Sequence, residues 1–507
     1  MSLLLLPKAI NPLSCWSPLW PDLAELSATL PQVQRLVHDS RQVEQGDVFF
    51  ALQGVSQSGQ IYQDQALQRG ACLVVCEGEL KLKPVSSQAW QLSVPDLKSK
   101  LGRLLALSSA ANYSSLRTTA ITGTNGKSSV AHFLCQLRQL LGQRSALVGT
   151  LGYGELNQLQ PASHTTPDLF RLHQFYLDWM AAGVEEVCLE ASSHALDQGR
   201  LDGLPITTAV FTNLTRDHLD YHLTLEAYAE AKSRLFTRPE LQVRVVNLDD
   251  PLGHKLAEPN PTPLTLSYSI SQPEADLSLK SPVFSEQGVT AELHWKNQTA
   301  AFALPLLGRF NLANLLAALG VLLAEGQPLP TLLPLIKQLQ PVKGRMQRVS
   351  ADSDAAGQEL PSVVVDYAHT PDALQQALQA LRLHAQGRIY CVLGCGGDRD
   401  QGKRALMAQA AVQEADFLVV TDDNPRHEDP AAIRRQLLKA APQAREIADR
   451  AEAIHWAIQE AQVGDWVLVA GKGHEDYQDI AGQRFAFEDQ KVAEQALQAR
   501  RLACSSL

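Results

Sequence analysis

The chain has 507 residues, 45% hydrophobic and 19% charged, an ordinary globular make-up at a length that implies two to four domains. Its formal net charge is −10 and it carries no Lys/Arg-rich run, which argues against a nucleic-acid partner. Leu3–Leu6 has no basic residue before it and meets Pro7 at once, and no apolar run approaches the roughly 18 residues of a membrane span. Neither export nor membrane insertion is therefore expected, and the expected location is the cytoplasm. The eight cysteines, at 15, 72, 76, 135, 188, 391, 395 and 504, form no C-x-x-C pair, so zinc and dithiol readings are weak. Cys188 and Cys391 sit in apolar, strand-like runs, where a reduced buried thiol is the simplest reading.

Three textures follow one another. Residues 1–116 mix short strands with turns, as where Gly46-Asp47 feeds the apolar run Val48–Leu52. Residues 117–343 alternate strands and helices. Thr118–Thr122 predicts a strand that runs into Gly123-Thr124-Asn125-Gly126-Lys127-Ser128-Ser129, and Val130, Phe133, Leu134, Leu137 and Leu141 then recur at helical spacing up to Gly142. Further strands are predicted at Glu186–Glu190, Ala209–Asn213 and Val243–Leu248, and residues 265–305 alternate without helical period, predicting added β structure. Residues 344–507 hold apolar strands at 362–366, 389–393, 417–421 and 466–470, with helices starting near Pro371, Lys403, Pro430 and Arg450. Strands this apolar, alternating with helices, predict a parallel sheet covered on both faces. The fold class read from the chain is thus α/β.

In such sheets function gathers at the carboxyl ends of strands. Gly123, Thr124, Asn125, Gly126, Lys127, Ser128 and Ser129 sit between a strand and a helix. Glycines there let N–H groups close on phosphate, Lys127 can neutralise the β/γ phosphates, and Ser128 can reach Mg²⁺. The spacing G-x-x-G-K-S is shorter than the general phosphate-loop pattern, so a plain glycine-rich turn is the competing reading. Glu190 ends an apolar strand in the same region, as a Mg²⁺ ligand would, or as a solvated terminal carboxylate would. Polar residues crowd the next strand exit, Asn213-Leu214-Thr215-Arg216-Asp217-His218-Leu219-Asp220-Tyr221-His222.

Those segments, with Glu190–His194, Leu307–Asn314, Gly344-Arg345-Met346, Asp366–Pro371 and Asp423–Arg426, recur in this order in the Mur ligases, and the resemblance covers nearly the whole chain. It implies three domains: 1–116 binding a UDP-sugar, 117–343 a central phosphate-loop ATPase-like parallel sheet, and 344–507 a Rossmann-like domain binding an amino acid. It implies an ATP-dependent amide ligase that phosphorylates a carboxylate and lets an amine attack the acyl phosphate. Charge spreading over phosphoryl oxygens demands cations there. Lys127 and two Mg²⁺ ions would supply them, with Ser128, Glu190 and His218 as metal ligands. Lys232 matches a lysine the family carries as a carbamate, an acidic group that would help hold the second Mg²⁺, where an amphipathic helix read alone would make it a solvated surface charge. Asn311 and Asn314, three apart on one face, would contact adenine rather than merely cap a helix, and Arg345, Asp366 and His369 resemble further ATP contacts.

For the UDP-sugar, His38 and Ser40 with Val55, Ser56 and Gln57 resemble the uridine segment. His164, Thr165, Thr166, Ser192, Gln198 and Arg200 match positions that contact diphosphate, sugar and peptide, although Pro167 stands where many relatives carry Gly. Asp423, Asn424, Pro425 and Arg426 follow a strand; Asn-Pro is also a good turn. An acid and an amide can hold an amine, while Arg426 offers a planar fork to a distal carboxylate, which meso-diaminopimelate has and L-lysine lacks. Arg399, Gly471 and Glu475 match the rest of that pocket. The implied partners are UDP-MurNAc-dipeptide and meso-diaminopimelate, and a monomer is expected. A lysine-adding or folylpolyglutamate-type sibling, a phosphate-loop kinase of a small molecule, and a nucleotide-gated binding protein are the rival readings.

Overall fold

The computed structural model describes residues 3–26, 30–53, 59–109, 113–258, 263–350 and 360–505. The chain forms two compact units, Met1–Ser267 with Gly320–Glu325, and Tyr268–Leu319 with Gly326–Leu507. Segment 268–319 thus belongs to the same unit as the C-terminal residues.

The first unit holds two sheets. Strands β1 (Leu3–Ile10), β2 (Val33–Val37), β3 (Val48–Ala51), β4 (Leu73–Glu77), β5 (Lys81–Pro84) and β6 (Trp90–Val94) line up as β1-β2-β3-β4-β6-β5, with parallel pairing inside and antiparallel edges. All four residues of β3 are buried, as a strand covered on both faces requires.

The second sheet of this unit carries β7 (Arg117–Thr122), β8 (Ser145–Gly149), β9 (Gly152–Gly154), β10 (Glu186–Glu190), β11 (Ile206–Phe211) and β12 (Val243–Asn247) in the order β12-β11-β7-β10-β8-β9. β7 lies between β10 and β11, both parallel to it, with Glu190 opposite Ile121 and Phe211 opposite Thr122. Their carboxyl ends therefore open at one level, and three loops emerge side by side. The helix Lys127–Leu140 begins directly after the glycine-rich loop and buries Val130, Phe133, Leu134 and Leu137 as its spacing predicts. β11 starts at Ile206, earlier than expected, because Thr207 and Thr208 interrupt the apolar pattern yet are good strand formers; Thr208 is buried opposite Val243.

In the second unit, β14 (Leu277–Ser285), β15 (Gly288–Trp295) and β16 (Gln298–Leu304) form an antiparallel meander joined to the end of β13 (Leu264–Ser269) through Tyr268 and Ser269. This is the β structure that the non-helical alternation predicted. The other sheet runs β17 (Gln347–Val349), β18 (Ser362–Asp366), β22 (Trp466–Ala470), β19 (Ile389–Leu393), β20 (Phe417–Val420) and β21 (Arg445–Glu446), parallel except for β17. Val364, Cys391 and Leu468 pack on one face with Leu378, Met407 and Leu437 of the helices Pro371–Arg382, Gly402–Glu414 and Pro430–Ala440. Val363, Val392 and Val469 pack on the other face with Ile454 and Leu497 of the helices Arg450–Glu460 and Asp489–Ser505. Both faces are covered, as strands of unbroken apolar character dictate. The hairpin β23 (Tyr477–Ile480) and β24 (Gln483–Ala486) stands beside this sheet.

Among the described residues, no helix is long and apolar enough to cross a membrane. Cys15, Cys72, Cys76, Cys135, Cys188, Cys391 and Cys395 are free thiols, and all but Cys15 are buried.

Candidate active site

In the first unit the loop between β7 and its helix is braced by the exit of β11. The Thr124 N–H donates to the Asn213 carbonyl at 2.8 Å, and the Asn125 N–H to Asn213 Oδ1 at 2.9 Å. The Thr212 hydroxyl donates to the Asn125 carbonyl at 2.6 Å, and the Thr215 N–H donates to Thr124 Oγ1 at 2.9 Å. Gly123 must be glycine: a Cβ there would lie 1.8 Å from Thr212 Oγ1. Gly126 then precedes the first helical turn, Lys127–Ser129, whose N–H groups begin a helix and favour an anion. Lys127 Nζ donates to the carbonyls of Gly123 and Thr124, both at 2.8 Å.

Glu190 is 1% exposed rather than solvated, and its carboxylate is held by polar neighbours. Ser128 Oγ donates to Oε2 at 2.9 Å, and the Thr150 N–H donates to Oε1 at 2.9 Å. A carboxylate and a hydroxyl this close are hard oxygen donors of the kind Mg²⁺ takes, with phosphate oxygens and water completing the shell. Among the described residues no three His, Cys, Asp or Glu side chains cluster as a ready-made metal cage, so Ser128 and Glu190 are the donors that fit.

Lys232 is 1% exposed, where helical periodicity alone would have put it in solvent. Its Nζ donates to the Gly123 carbonyl at 2.8 Å and lies 4.3 Å from the Tyr228 ring centre. Burial, helped by the Lys127 charge and opposed by Asp217, holds this amine well below the usual lysine range. Near it stand His218, exposed at the start of Leu219–His222, and His194, whose rings meet edge-on at 4.9 Å. Burial lowers the pKa of both imidazoles, which keeps them neutral near pH 7. The Tyr221 ring lies tilted against that of His194, centres 4.3 Å apart, and His222 Nε2 lies 3.0 Å from Ser193 Oγ. Tyr221 and His222 entered the sequence reading only within the 213–222 segment, with no role of their own, and Thr150 escaped it. His218 and His222, four apart on one helical face, were the available signal for the first two, and the strand-end rule at β8 was the signal for Thr150.

The candidate UDP-sugar residues occupy the same unit. His38 Nε2 lies 3.3 Å from Asp168 Oδ1, and its ring is 4.7 Å from Phe170. Ser40 Oγ donates to Gln65 Oε1 at 2.6 Å. Val55, Ser56 and Gln57 lie outside the described residues. The Thr166 hydroxyl donates to the Glu190 carbonyl at 2.7 Å, and Thr165 Oγ1 lies 3.0 Å from Thr150 Oγ1. Ser192 caps its helix by accepting from the Ala195 N–H at 3.2 Å, and its own N–H donates to Thr166 Oγ1 at 3.2 Å. Arg200 donates to the Thr166 carbonyl at 3.0 Å and to Gln198 Oε1 at 2.9 Å. His164 is exposed, with its N–H donating to the Tyr153 hydroxyl at 3.1 Å. Thr166 is thus tied directly to the backbone of β10, Ser192 and Arg200 reach it through Thr166, and Gln198 joins through Arg200.

In the second unit Asn311 and Asn314 are both buried and adjacent; Asn311 donates to the Leu307 carbonyl at 2.8 Å. Asp366 accepts from the Met346 N–H at 2.6 Å, and burial pushes its carboxyl up to about 6. The Arg345 guanidinium lies 4.5 Å over the Tyr367 ring, which also contacts His369 at 4.5 Å and His474 at 5.0 Å. Gly344 and Gly473 touch backbone to backbone, and a Cβ on Gly344 would lie 2.2 Å from the His474 nitrogen.

The exit of β20 forms a second constellation of this unit. Asp423, Asn424 and Pro425 are buried. Asn424 Nδ2 donates to Glu475 Oε2 at 2.7 Å, while its Oδ1 accepts from Lys472 Nζ at 3.0 Å and the Asp479 N–H at 2.9 Å. The Asp423 carboxylate lies against Gly471, where a Cβ would come within 2.7 Å of Oδ2. Arg426 has φ +50, its backbone bonds to Asp479 and Ala481 of the hairpin, and its Nη1 donates to the Gly397 carbonyl at 2.7 Å. Arg399 is exposed near Gly396. Lys472 and His474 were not singled out from the sequence, since a lysine between two glycines reads as a solvated loop residue.

Three family models match in chain order: "Mur ligase family, catalytic domain" over 32–113, "Mur ligase middle domain" over 121–322, and "Mur ligase, glutamate ligase domain" over 344–473. The chain is 45% identical over 483 residues to the UDP-N-acetylmuramoyl-L-alanyl-D-glutamate–2,6-diaminopimelate ligase of Pseudomonas aeruginosa, covering 94% of this chain and 98% of that one. A solved structure of a ligase of that same name is 41% identical, with TM-score 0.70 over 92% of this chain and 95% of the other. The MurF ligase of Thermotoga maritima in complex with ADP shares the fold at 18% identity and TM-score 0.59, over 92% of this chain and 98% of the other. With the phosphate loop, the buried Glu190 and the β20 exit each inside a matched stretch, the chain belongs to the Mur ligase family of ATP-dependent ligases.

Proposed function

We propose that the chain joins meso-diaminopimelate to UDP-N-acetylmuramoyl-L-alanyl-D-glutamate, consuming ATP, in the cytoplasmic assembly of a peptidoglycan precursor. The observation that carries the substrate choice is Arg426 at the β20 exit, its guanidinium set by the Gly397 carbonyl and its backbone pinned to the hairpin. A fixed fork of N–H donors suits a carboxylate and leaves a lysine ammonium opposed, which discriminates by several kcal/mol, roughly the cost of an unpaired buried charge. Arg399, Asp423, Asn424, Gly471 and Glu475 would complete the pocket. The relatives' names support this reading.

The γ-phosphoryl group of ATP passes to the dipeptide carboxylate, the amine attacks the resulting carbonyl carbon, and phosphate leaves. Lys127 and the N–H groups of Gly123–Ser129 would hold the phosphates. Ser128 and Glu190, with His218 beyond them, would hold Mg²⁺, which when bound neutralises charge on the phosphoryl oxygens. The neutral, buried Lys232 amine suits attack on CO₂, forming an N–C bond and releasing a proton to give a carbamate. Asn311, Asn314, Arg345, Asp366 and His369 would contact the nucleotide. His38, Ser40, Val55, Ser56, Gln57, His164, Thr165, Thr166, Ser192, Gln198 and Arg200 would contact the UDP-sugar. The proposed domains are 1–116, 117–343 and 344–507, in a monomer.

Phosphate release from MgATP with the UDP-linked dipeptide, comparing meso-diaminopimelate with L-lysine, tests this reading. Release dependent on diaminopimelate is the expected result. Release with lysine alone would remove the Arg426 argument. ADP with a stable phosphorylated product and no free phosphate would instead indicate a kinase.

A further inference from the structure

Lys472 carries a charge into a place where charges are costly. It is 0% exposed, and burying an ammonium is unfavourable unless its protons find acceptors. Two acceptors meet it: Asn424 Oδ1 at 3.0 Å and Glu475 Oε2 at 3.1 Å. The Tyr477 ring centre lies 5.5 Å away on the hairpin side. The local backbone sets up this pair. Gly471 and Gly473 flank the lysine with φ +117 and +53, and the Glu475 N–H donates to the Lys472 carbonyl at 3.0 Å, so a single turn carries both ends of the ion pair.

The three side chains are linked in a closed ring. Asn424 Nδ2 donates to the same Glu475 oxygen that accepts from Lys472, and Asn424 Oδ1 accepts from Lys472 itself. Glu475 is therefore gripped through Oε2 alone. Its Oε1 takes no hydrogen bond from any described residue, and the side chain is 19% exposed. A carboxylate with one oxygen locked and the other open is prepared to receive a donor from outside the protein.

We propose that Lys472 is a positioning residue for the incoming amino acid: with Asn424 it fixes Glu475 so that Oε1 is presented to the substrate's ammonium group. The Lys472 ammonium itself does not touch substrate; it acts through the Glu475 carboxylate. It also fixes the amide orientation of Asn424, because an Oδ1 that accepts from a lysine leaves Nδ2 to donate. This inference rests on the amino-acid pocket proposed above and adds to it a residue that holds the pocket in shape.

The test is a double-mutant cycle in the full chain with Lys472→Met, Glu475→Gln and the two combined, followed by phosphate release at varied meso-diaminopimelate and varied ATP. Lys472→Met is expected to raise the KM for diaminopimelate about tenfold or more, a charged hydrogen bond's share, and to leave the KM for ATP within about twofold. In the Glu475→Gln background the same substitution should add less than about twofold, because residues acting through one another are not additive. A full additional loss in the double variant, or equal rises in both KM values, would overturn the proposal while leaving the pocket intact. An unchanged diaminopimelate KM in Glu475→Gln alone would overturn the pocket reading as well. Should Lys472→Met be insoluble, Lys472→Gln, which keeps a donor and drops the charge, takes its place under the same criteria.

Discussion

Lys127 and Lys232 aim their ammonium nitrogens at one acceptor, the Gly123 carbonyl oxygen, each at 2.8 Å. Burial first, and then repulsion from the neighbouring Lys127, shift the deeply buried Lys232 towards its neutral form. Lys127 is then the charged partner that arriving phosphates can draw away from the loop. Lys127→Ala should lower ATP-dependent phosphate release by about a thousandfold or more, the scale for losing a preorganised transition-state donor. Unchanged turnover would remove the phosphate-loop assignment.

The Lys232 amine also leaves a mark on stability. In the unfolded chain it binds a proton up to the ordinary lysine value of 10.5, whereas in the fold it releases that proton at much lower pH. Between those two limits the unfolded state holds more protons, so stability contributed by this group rises with pH. Lys232→Met should flatten that rise, as read from thermal unfolding at neutral pH and at pH 10. A variant with the parent's pH slope would contradict the buried, neutral amine.

Asp366 behaves in the opposite sense. Burial raises its carboxyl from 3.8 to about 6, so the folded state holds the proton more tightly than the unfolded one. Its stabilising share is full below pH 3.8 and is lost as pH rises through about 6. The change is on the order of 1–3 kcal/mol. Asp366→Asn should remove that part of the slope, measured by urea unfolding at pH 4, 5 and 6.

Arg426→Ala should raise the KM for meso-diaminopimelate by about 10- to 100-fold and leave that for ATP nearly unchanged, since a charged hydrogen bond acts on one substrate only. Equal losses for both would assign the residue to fold rather than recognition.

Leu223 has φ +68 and is 80% exposed, so it carries backbone strain with no burial to offset it. Left-handed backbone costs a leucine about 1–2 kcal/mol, and glycine gives back part of that through unfolded-chain entropy. Leu223→Gly is expected to stabilise the chain by about 0.5–1 kcal/mol, checked by the urea midpoint at constant m-value.

The four central strands β18, β22, β19 and β20 of the second unit were legible because each is a short, uninterrupted apolar run, and the phosphate loop because glycine, lysine and serine have fixed places between a strand and a helix. Other features depend on tertiary packing that no local pattern encodes. Lys232 lies in a helix of mixed composition, and only the approach of Gly123 and Tyr228 shows that it faces inward. Lys472 is similar: two glycines flank it as in any loop, and one of its two acceptors, Asn424, comes from the β20 exit, 48 residues away in sequence. The early start of β11 was missed because threonines break an apolar run without breaking a strand.

The contact of Gly344 with Gly473 has a mechanical consequence. Backbone meets backbone there with no side chain between, and the Tyr367 N–H donates to the Gly344 carbonyl at 2.9 Å beside it. The segment carrying Arg345 and the turn carrying Lys472 and Glu475 thereby meet main chain to main chain. A side chain inserted at either glycine would act as a wedge, displacing the segment that carries Arg345 and the turn that carries Lys472 and Glu475 together.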